Sequence, residues 1–452
     1  MDLRLTFAIS IGKAISIFNK ISGTGGTAAP GLFALKIDPN LVRKLTKKLP
    51  FGNLVISGTN GKTTTTRLTS NILETKFKIV NNRQGSNLLR GIASTLITRS
   101  DLVGNLDANL GIWEVDEGTL PEVAQNTNPK LICLLNLFRD QLDRYGEVDT
   151  TRQKWQKSLT EQNQGPTLIL NADDPQIAFI GEKLKKTMYF GINQTEFNLP
   201  QIPQVADIKY CLNCASKLNY KAQLTSHMGH YFCTKCKFKR PIPQISASKT
   251  TFKSNFSTST TINKTNINYN LPGLYNVYNV LAAFAICDAL KIDHTKIKEK
   301  IEEFSAVFGR FQKSTINNKK IITFLIKNPA GANEVIRTLS LKKDLNILAI
   351  LNDNIADGKD VSWIWDTNWE KLIGQIKNIS VSGTRSYDLA VRLKYAGIDM
   401  KKVKIDSDIS NATKEIIHNA HKNELIFLPT YTALLDVQKT LAKLGGAKWH
   451  KD

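Results

Sequence analysis

The pattern of apolar and polar positions changes character near residue 50. Before it stands one amphipathic stretch, 3–21, followed by a Gly/Ala/Pro-rich run over 23–31. From Asn53 onward, short apolar runs (53–57, 78–81, 110–115, 131–135 and 167–170) alternate with stretches of helical spacing. That alternation predicts a parallel sheet covered by helices. Residues 205–260 break the rhythm with polar, Ser/Thr/Asn-rich sequence and read as a small module inserted in the larger domain. Helical spacing returns at 275–290 and 294–304. From about Thr315 a second set begins, with strands expected at 320–326, 345–351, 379–382, 402–405 and 424–428. Helices are expected at 332–340, 368–376, 386–396 and 431–444. The division predicted is a short segment 1–50, a central domain 51–314 with an insert at 205–240, and a C-terminal Rossmann-like α/β domain 315–452. Within the chain there is no internal repeat.

Composition narrows the class. A chain of 452 residues, 41% hydrophobic and 22% charged, is ordinary globular material for two or three domains. No run approaches the ~18 apolar residues of a membrane span. The apolar stretch 5–11 ends at Gly12 and Lys13 without a clear cleavage site, and reads as a helix of the fold or a weak membrane-surface contact. The expectation is a soluble, cytoplasmic protein. Lysine and arginine number 61 against 39 acids, giving a net charge of +22 and a pI near 9.6. Such an excess attracts nucleic acid, an anionic membrane or phosphorylated substrates, although a solvated lysine-rich surface gives the same count. Between Val205 and Phe256 nine Lys/Arg face the single acid Asp207.

Gly58-Thr59-Asn60-Gly61-Lys62-Thr63-Thr64 follows an apolar strand and opens a helical stretch. A loop in that position offers unpaired backbone N–H groups and the positive end of a helix dipole to phosphate. Its glycines allow close approach, Lys62 carries charge to the outer phosphates, and the Thr63 hydroxyl can bind Mg²⁺. The first glycine of the usual Walker A spacing would fall at Ile56, so the loop is a variant.

Cys211-x-x-Cys214 and Cys233-x-x-Cys236, separated by eighteen residues, fit a structural Cys₄ zinc ribbon. His227 and His230 lie between the pairs and, with four thiolates present, are expected at the surface. Cys133 and Cys287 fall in apolar patterns and are expected to be buried thiols.

The loop resembles that of the Mur ligases, ATP-dependent enzymes that activate a carboxylate as an acyl phosphate and attack it with an amine. Trp113-Glu114-Val115-Asp116-Glu117 ends a strand where that family carries a Mg²⁺-binding glutamate, which implies Glu114. Asn136–Asp143 resembles the family's Asn-x-x-x-Asp-His-x-Asp segment, with Gln141 in place of histidine. Asn171-Ala172-Asp173-Asp174-Pro175 and Leu271–Asn279 are similar to the nucleotide-side motifs, and the resemblance implies that Asn276 contacts adenine. Gly309-Arg310-Phe311-Gln312 is similar to an interdomain segment whose arginine, Arg310 here, reaches ATP phosphates. Lys154 stands where some members carry a carbamylated lysine, against the simpler reading of a solvated helix lysine.

Three departures define a branch of that family. Only about fifty residues precede the loop, too few for a UDP-substrate domain. The opening of the C-terminal domain, Leu325-Ile326-Lys327-Asn328-Pro329, keeps only Asn-Pro of the usual segment. With the Cys₄ insert and the run Asp353–Trp363, these features resemble the ligase subunits of lipid II isoglutaminyl synthase. The resemblance implies amidation of the α-carboxylate of D-glutamate in the lipid II stem peptide. It further implies a separate class I glutamine amidotransferase subunit supplying ammonia, whose catalytic histidine is oriented by Asp357 or Asp360. Two other readings compete: a ligase that adds an amino acid, of folylpolyglutamate or cyanophycin type, and a nucleic-acid-binding P-loop ATPase. The second lacks an aromatic single-strand platform and helicase-like motifs.

Overall fold

The computed structural model describes residues 2–22, 28–83, 86–138, 148–161, 165–182, 184–199, 208–304, 311–419 and 424–446. The large sheet is built on β1 (Asn53–Ser57), β2 (Ile79–Asn81), β3 (Leu110–Val115), β4 (Leu131–Leu134), β5 (Thr167–Asn171) and β6 (Thr187–Ile192). These six are parallel, in the order β6-β5-β4-β1-β3-β2. Every residue of β1, β3 and β4 is buried, so these strands read as continuous apolar runs rather than alternating ones. The strand order reverses at β1, and a ligand crevice opens beyond the carboxyl ends of the strands at such a point. The phosphate loop leaves β1 at that end.

The break in rhythm over 205–260 resolves into two parts. A hairpin of β7 (Asn219–Thr225) and β8 (Met228–Phe232) carries the cysteine turns and forms a two-stranded sheet of its own, with Ala222, Leu224 and Met228 packed into the core beside the large sheet. By contrast β9 (Ile245–Phe252), β10 (Thr258–Ile262) and β11 (Thr265–Tyr269) extend that sheet, β9 parallel to β6 and the others antiparallel. In β10 the buried side chains are Thr258, Thr260 and Ile262, so the alternation is present but written largely in threonine. Branched threonine packs well on a pleated surface, which polarity alone conceals.

The helix Leu274–Ala289 is buried on nearly all sides, between this sheet and the helix Lys62–Leu73. Ahead of the sheet, the helices Leu3–Ile21, Ala29–Ile37 and Leu41–Thr46 fold onto the domain, the first two against the helix Leu89–Arg99. The second of these begins inside the Gly/Ala/Pro-rich run, with Pro30 in its first turn, where a missing N–H costs nothing.

The second sheet comprises β12 (Phe311–Ile316), β13 (Lys319–Phe324), β14 (Leu345–Ile350), β15 (Ile376–Ser382), β16 (Val403–Ile405) and β17 (Glu424–Pro429). Its order is β12-β13-β17-β14-β15-β16, parallel except for the antiparallel edge pair β12–β13. One helix expectation fails: 368–376 holds only the 3₁₀ turn Trp369–Leu372. Trp369 and Leu372 are anchored in the core, Gly374 has φ +74°, and the chain enters β15 at Ile376. Among the described residues no helix is long and apolar enough to cross a membrane.

Candidate active site

At the end of β1 the chain turns through Gly58 (φ 141°) and Gly61 (φ 90°), and the helix starts at Lys62. Both conformations favour glycine, and Gly61 also passes so close to the Asn279 side chain that a Cβ would collide with it. The loop is clamped from β4's exit. Asn136 accepts from the Asn60 N–H at 2.8 Å and donates to the Asn60 carbonyl at 2.9 Å. The Thr59 hydroxyl accepts from the Phe138 N–H at 3.0 Å. The Asn136 segment therefore fixes the loop's shape, a role its sequence did not suggest.

Lys62 is buried. Its ammonium donates to Glu117 Oε2 and to the Gly58 carbonyl, at 2.7 and 2.6 Å. Burial works against its charge, but the carboxylates of Glu117, Asp116 and Glu114 outweigh burial and hold its pKa above the ordinary value. Glu117 shows the mirror image: burial opposes its ionisation, and Lys62 and Lys327 overcome it and hold the carboxyl below its usual range. Glu117 was missed as a candidate, although it lies three residues after Glu114.

Thr63 Oγ1 donates to Glu114 Oε1 at 2.8 Å, and Asn87 Nδ2 donates to the same oxygen at 2.8 Å. A hydroxyl and a carboxylate converging beside a phosphate loop are the hard oxygen ligands Mg²⁺ takes, so the residues present fit that ion. Lys154 is on the exposed face of the helix Val148–Thr160. Arg310 and the segment 139–147, with Gln141, lie outside the described residues.

The Asn171–Pro175 motif is a brace. Asn171 Nδ2 donates to the Leu135 carbonyl at 2.9 Å. The fully buried Asp173 accepts from Arg240 Nε, the Ile192 N–H and the Tyr278 hydroxyl, at 2.5, 2.8 and 2.8 Å. Asp174 caps the helix Pro175–Gly181 and accepts from the Leu137 N–H at 2.9 Å. His227, expected at the surface, is instead fully buried, 3.4 Å from Asp174 and with its ring tilted against Phe138 at 4.7 Å between centroids. His230 is half-buried, with Nε2 2.6 Å from the Ile192 carbonyl. Both follow from the hairpin of β7 and β8 packing inward rather than standing free.

The second domain meets the phosphate loop directly. Lys327 Nζ reaches the Thr59 carbonyl at 3.5 Å, and Asn328 Nδ2 donates to Asn60 Oδ1 at 3.1 Å. Asn328 also caps the helix Pro329–Leu339, which aims it at the loop. Between the domains lies a cleft lined by Asn60, Gly61 and Thr64 of the loop with Tyr275, Asn279 and Glu334 among others. Asn276 stands behind that lining, its amide donating to the Pro272 carbonyl at 2.7 Å and accepting from Asn279 at 3.0 Å.

Asp357 and Asp360 lie well along the second domain and are held differently. Asp357 accepts from the Thr432 N–H at 2.8 Å and from the Thr432 hydroxyl, at the start of the helix Tyr431–Lys443. Asp360 is exposed, and its hydrogen bonds from Ser362 lower its pKa.

The sulfur atoms of Cys211, Cys214, Cys233 and Cys236 all lie within 4.8 Å of one another, with two pairs at 3.5 Å. Four thiolates around one Zn²⁺ stand about 3.8 Å apart, so the cluster fits a single tetrahedral ion. Cys133 and Cys287 are buried, as expected.

Residues 56–232 match the Mur ligase middle domain, and residues 325–434 match the MurT ligase C-terminal domain. The chain is 32% identical, over 97% of its length and 98% of the relative's, to a Staphylococcus aureus protein named lipid II isoglutaminyl synthase (glutamine-hydrolyzing) subunit MurT. A protein of the same name from Streptococcus pneumoniae is 33% identical over 98% of each chain. In fold the chain is similar to a pseudomurein peptide ligase type C from Methanothermus fervidus (TM-score 0.67, 23% identity, 89% of this chain and 80% of that one). It is also similar to the MurF ligase of Thermotoga maritima, solved in complex with ADP (TM-score 0.64, 12% identity, 91% and 83%). The fold and the loop are those of the Mur ligases, a family that uses ATP with Mg²⁺. Within it, the chain belongs to the MurT ligase subunits.

Proposed function

We propose that this chain is the ATP-consuming subunit of a glutamine-dependent synthase that amidates lipid II. The substrate group is the α-carboxylate of D-glutamate in the stem peptide, and the product carries D-isoglutamine. One observation carries the reading: the chain is alike over 97% of its length to proteins named as subunits of that synthase.

The chemistry requires one anion to attack another. Bound ATP and Mg²⁺ supply the transferable phosphoryl group and positive charge that screens the approach. For this chain's part, Gly58, Gly61 and Thr64 offer backbone N–H groups to phosphate, while Asn136 holds the N–H groups of Thr59 and Asn60 and so shapes the loop; Thr63 and Glu114 would hold the metal. Lys62 exchanges Glu117 for phosphate oxygen, while Arg310 and Asn276 serve the nucleotide as the family resemblance implies. Lys327, beside Thr59, brings a second cation from the other domain to the same charge. The substrate carboxylate attacks the γ-phosphorus and ADP leaves, giving an acyl phosphate; ammonia then adds to the carbonyl carbon, inorganic phosphate leaves, and the nitrogen gives up a proton to yield the amide. Zn²⁺ on the four cysteines is structural.

Ammonia comes from a class I glutamine amidotransferase subunit. Asp357 or Asp360 orients that partner's catalytic histidine, and neighbouring exposed aromatics give the docking face. Trp365 and Tyr395 pack ring to ring at 5.6 Å, while Tyr387 and Val391 continue the same helix face.

The test is reconstitution of the chain with a glutaminase subunit, lipid II, ATP and glutamine, with the product read by mass spectrometry. A glutamine-dependent change of one carboxylate to an amide is expected. A product extended by an amino acid, or ATP turnover stimulated by DNA and indifferent to lipid II, would overturn the assignment.

A further inference from the structure

The helix Leu3–Ile21 carries two apolar faces. At about 100° per residue, Leu5, Ala8, Ile9 and Gly12 fall on one side and are buried. Gly12 lies against Ile97 and the Pro30 backbone, which fixes that side to the neighbouring helices. The opposite side presents Leu3, Phe7, Ile17, Phe18 and Ile21, all between 58% and 81% exposed. The spacing 3, 7, 17, 18, 21 places these five within about 60° of one line along the helix. Scattered exposed apolar residues need no explanation, but five large ones along one line, with the small Ser10 and Ala14 between Phe7 and Ile17, mark an interaction surface.

Charge identifies the occupant. No acidic residue occurs from Leu3 to Ile37, whereas Arg4, Lys13, Lys20 and Lys36 do. Arg4 falls beside one edge of the stripe and Lys13 and Lys20 beside the other. The adjoining helix adds exposed Leu32 and Phe33, with Lys36 over the Phe33 ring at 5.5 Å. The one acid bordering the helix, its cap Asp2, is paired with Lys44 at 2.6 Å. An apolar stripe edged by cations, on a helix whose other face is locked to protein, cannot span a bilayer but can lie in its surface.

We propose that this face is an interfacial anchor for an anionic membrane, with the helix lying in the headgroup plane. The stripe enters the acyl boundary, and the flanking cations meet lipid phosphates. The inference does not rest on the substrate proposed above, since the surface would dock whatever the site amidates.

The experiment is sedimentation of the full chain with vesicles that contain no lipid II. One set holds phosphatidylglycerol and phosphatidylcholine in equal parts; the other holds phosphatidylcholine alone. Binding to the anionic set, weakened by salt and much weaker on the neutral set, is expected. The double variant Phe7→Ser/Phe18→Ser should lower partition about tenfold or more, while its unfolding temperature and circular dichroism stay with the parent's. If that variant loses its fold, Phe18→Lys near the helix end replaces it with the same expectation. Parent protein that stays in the supernatant, or a folded variant that sediments as well as the parent, overturns the proposal. So does a parent that ignores vesicles but self-associates until Phe7 and Phe18 are replaced, because the face would then belong to a second copy.

Discussion

Replacing Glu117 by glutamine separates the resting partner of Lys62 from its working one. In the described state the lysine is 5% exposed and its nearest counter-charge is Glu117, 2.7 Å away and 8% exposed. Deleting one member of a buried pair costs about 3–5 kcal/mol. Glutamine keeps the shape and an accepting oxygen, and Glu114 and Asp116 still act on the ammonium. The cost should therefore fall to about 2–3 kcal/mol, or about 4–12 °C in unfolding temperature for a domain of this size. The same substitution should strengthen nucleotide binding. In the parent, phosphate must displace a bound carboxylate from Lys62; in the variant it restores a missing charge. By linkage, the lost 2–3 kcal/mol returns on binding, as nucleotide affinity up to about 30- to 140-fold tighter. Titration calorimetry with a non-hydrolysable ATP analogue, beside thermal unfolding with and without it, reads both quantities. A further sign check comes from pH. Glu117 is held below its usual value of 4.5, so its contribution is complete above that pH and is lost as pH falls through the lowered folded value. The acid limb of the parent's stability curve should accordingly be steeper than the variant's. A variant as stable as the parent that binds nucleotide no better would refute the exchange of partners.

Two further outcomes follow from the described contacts. Protein purified without chelator should carry one zinc per chain by elemental analysis, and Cys233→Ser should lose it and unfold at a lower temperature; full stability without metal would count against a structural ion. Asp357→Asn should lower the unfolding temperature, because the carboxylate caps the helix Tyr431–Lys443, whereas Asp360→Asn should leave it nearly unchanged. Whichever of the two abolishes glutaminase activity of the partner, with nucleotide binding intact, is the residue that orients the histidine; retention of activity in both would exclude the pair.

Much of the fold was legible because its signals are local. A central parallel strand must be apolar throughout, and Asn53–Ser57, Leu110–Val115 and the run from Leu131 declare themselves that way. The loop after β1 was legible for the same reason: its backbone turns through positive φ at Gly58 and Gly61, and Lys62 opens the helix that follows. Strands β9 to β11 were hidden because their outward positions are Ser, Thr, Lys and Asn, and in β10 threonine also fills two of the three buried positions, so the period competes with polarity. The partners that complete the site were hidden more deeply. Nothing near Lys62 in sequence points to Glu117, fifty-five residues on, and nothing near Asn60 points to Asn328, two hundred and sixty-eight residues on. Burial of His227 was likewise a tertiary fact, set by where the hairpin lands.

Where that hairpin lands also explains why a ligase would carry a cysteine ribbon. Thr225 and Met228, at its turn, line the interdomain cleft. The Gly229 N–H donates to the Asp173 carbonyl at 2.8 Å, and Arg240, just beyond the second cysteine pair, grips the Asp173 side chain. From the other domain Arg337 donates to the Leu224 carbonyl at 2.8 Å and to the Phe197 carbonyl at 3.0 Å. The hairpin is thus a wall shared by the sheet, the cleft and the second domain. Two short strands alone are marginally stable in water, and such a wall would fray. The four cysteine sulfurs lie within 4.8 Å of one another at its open end, where a shared metal ion would brace the wall that Arg337 grips from the second domain.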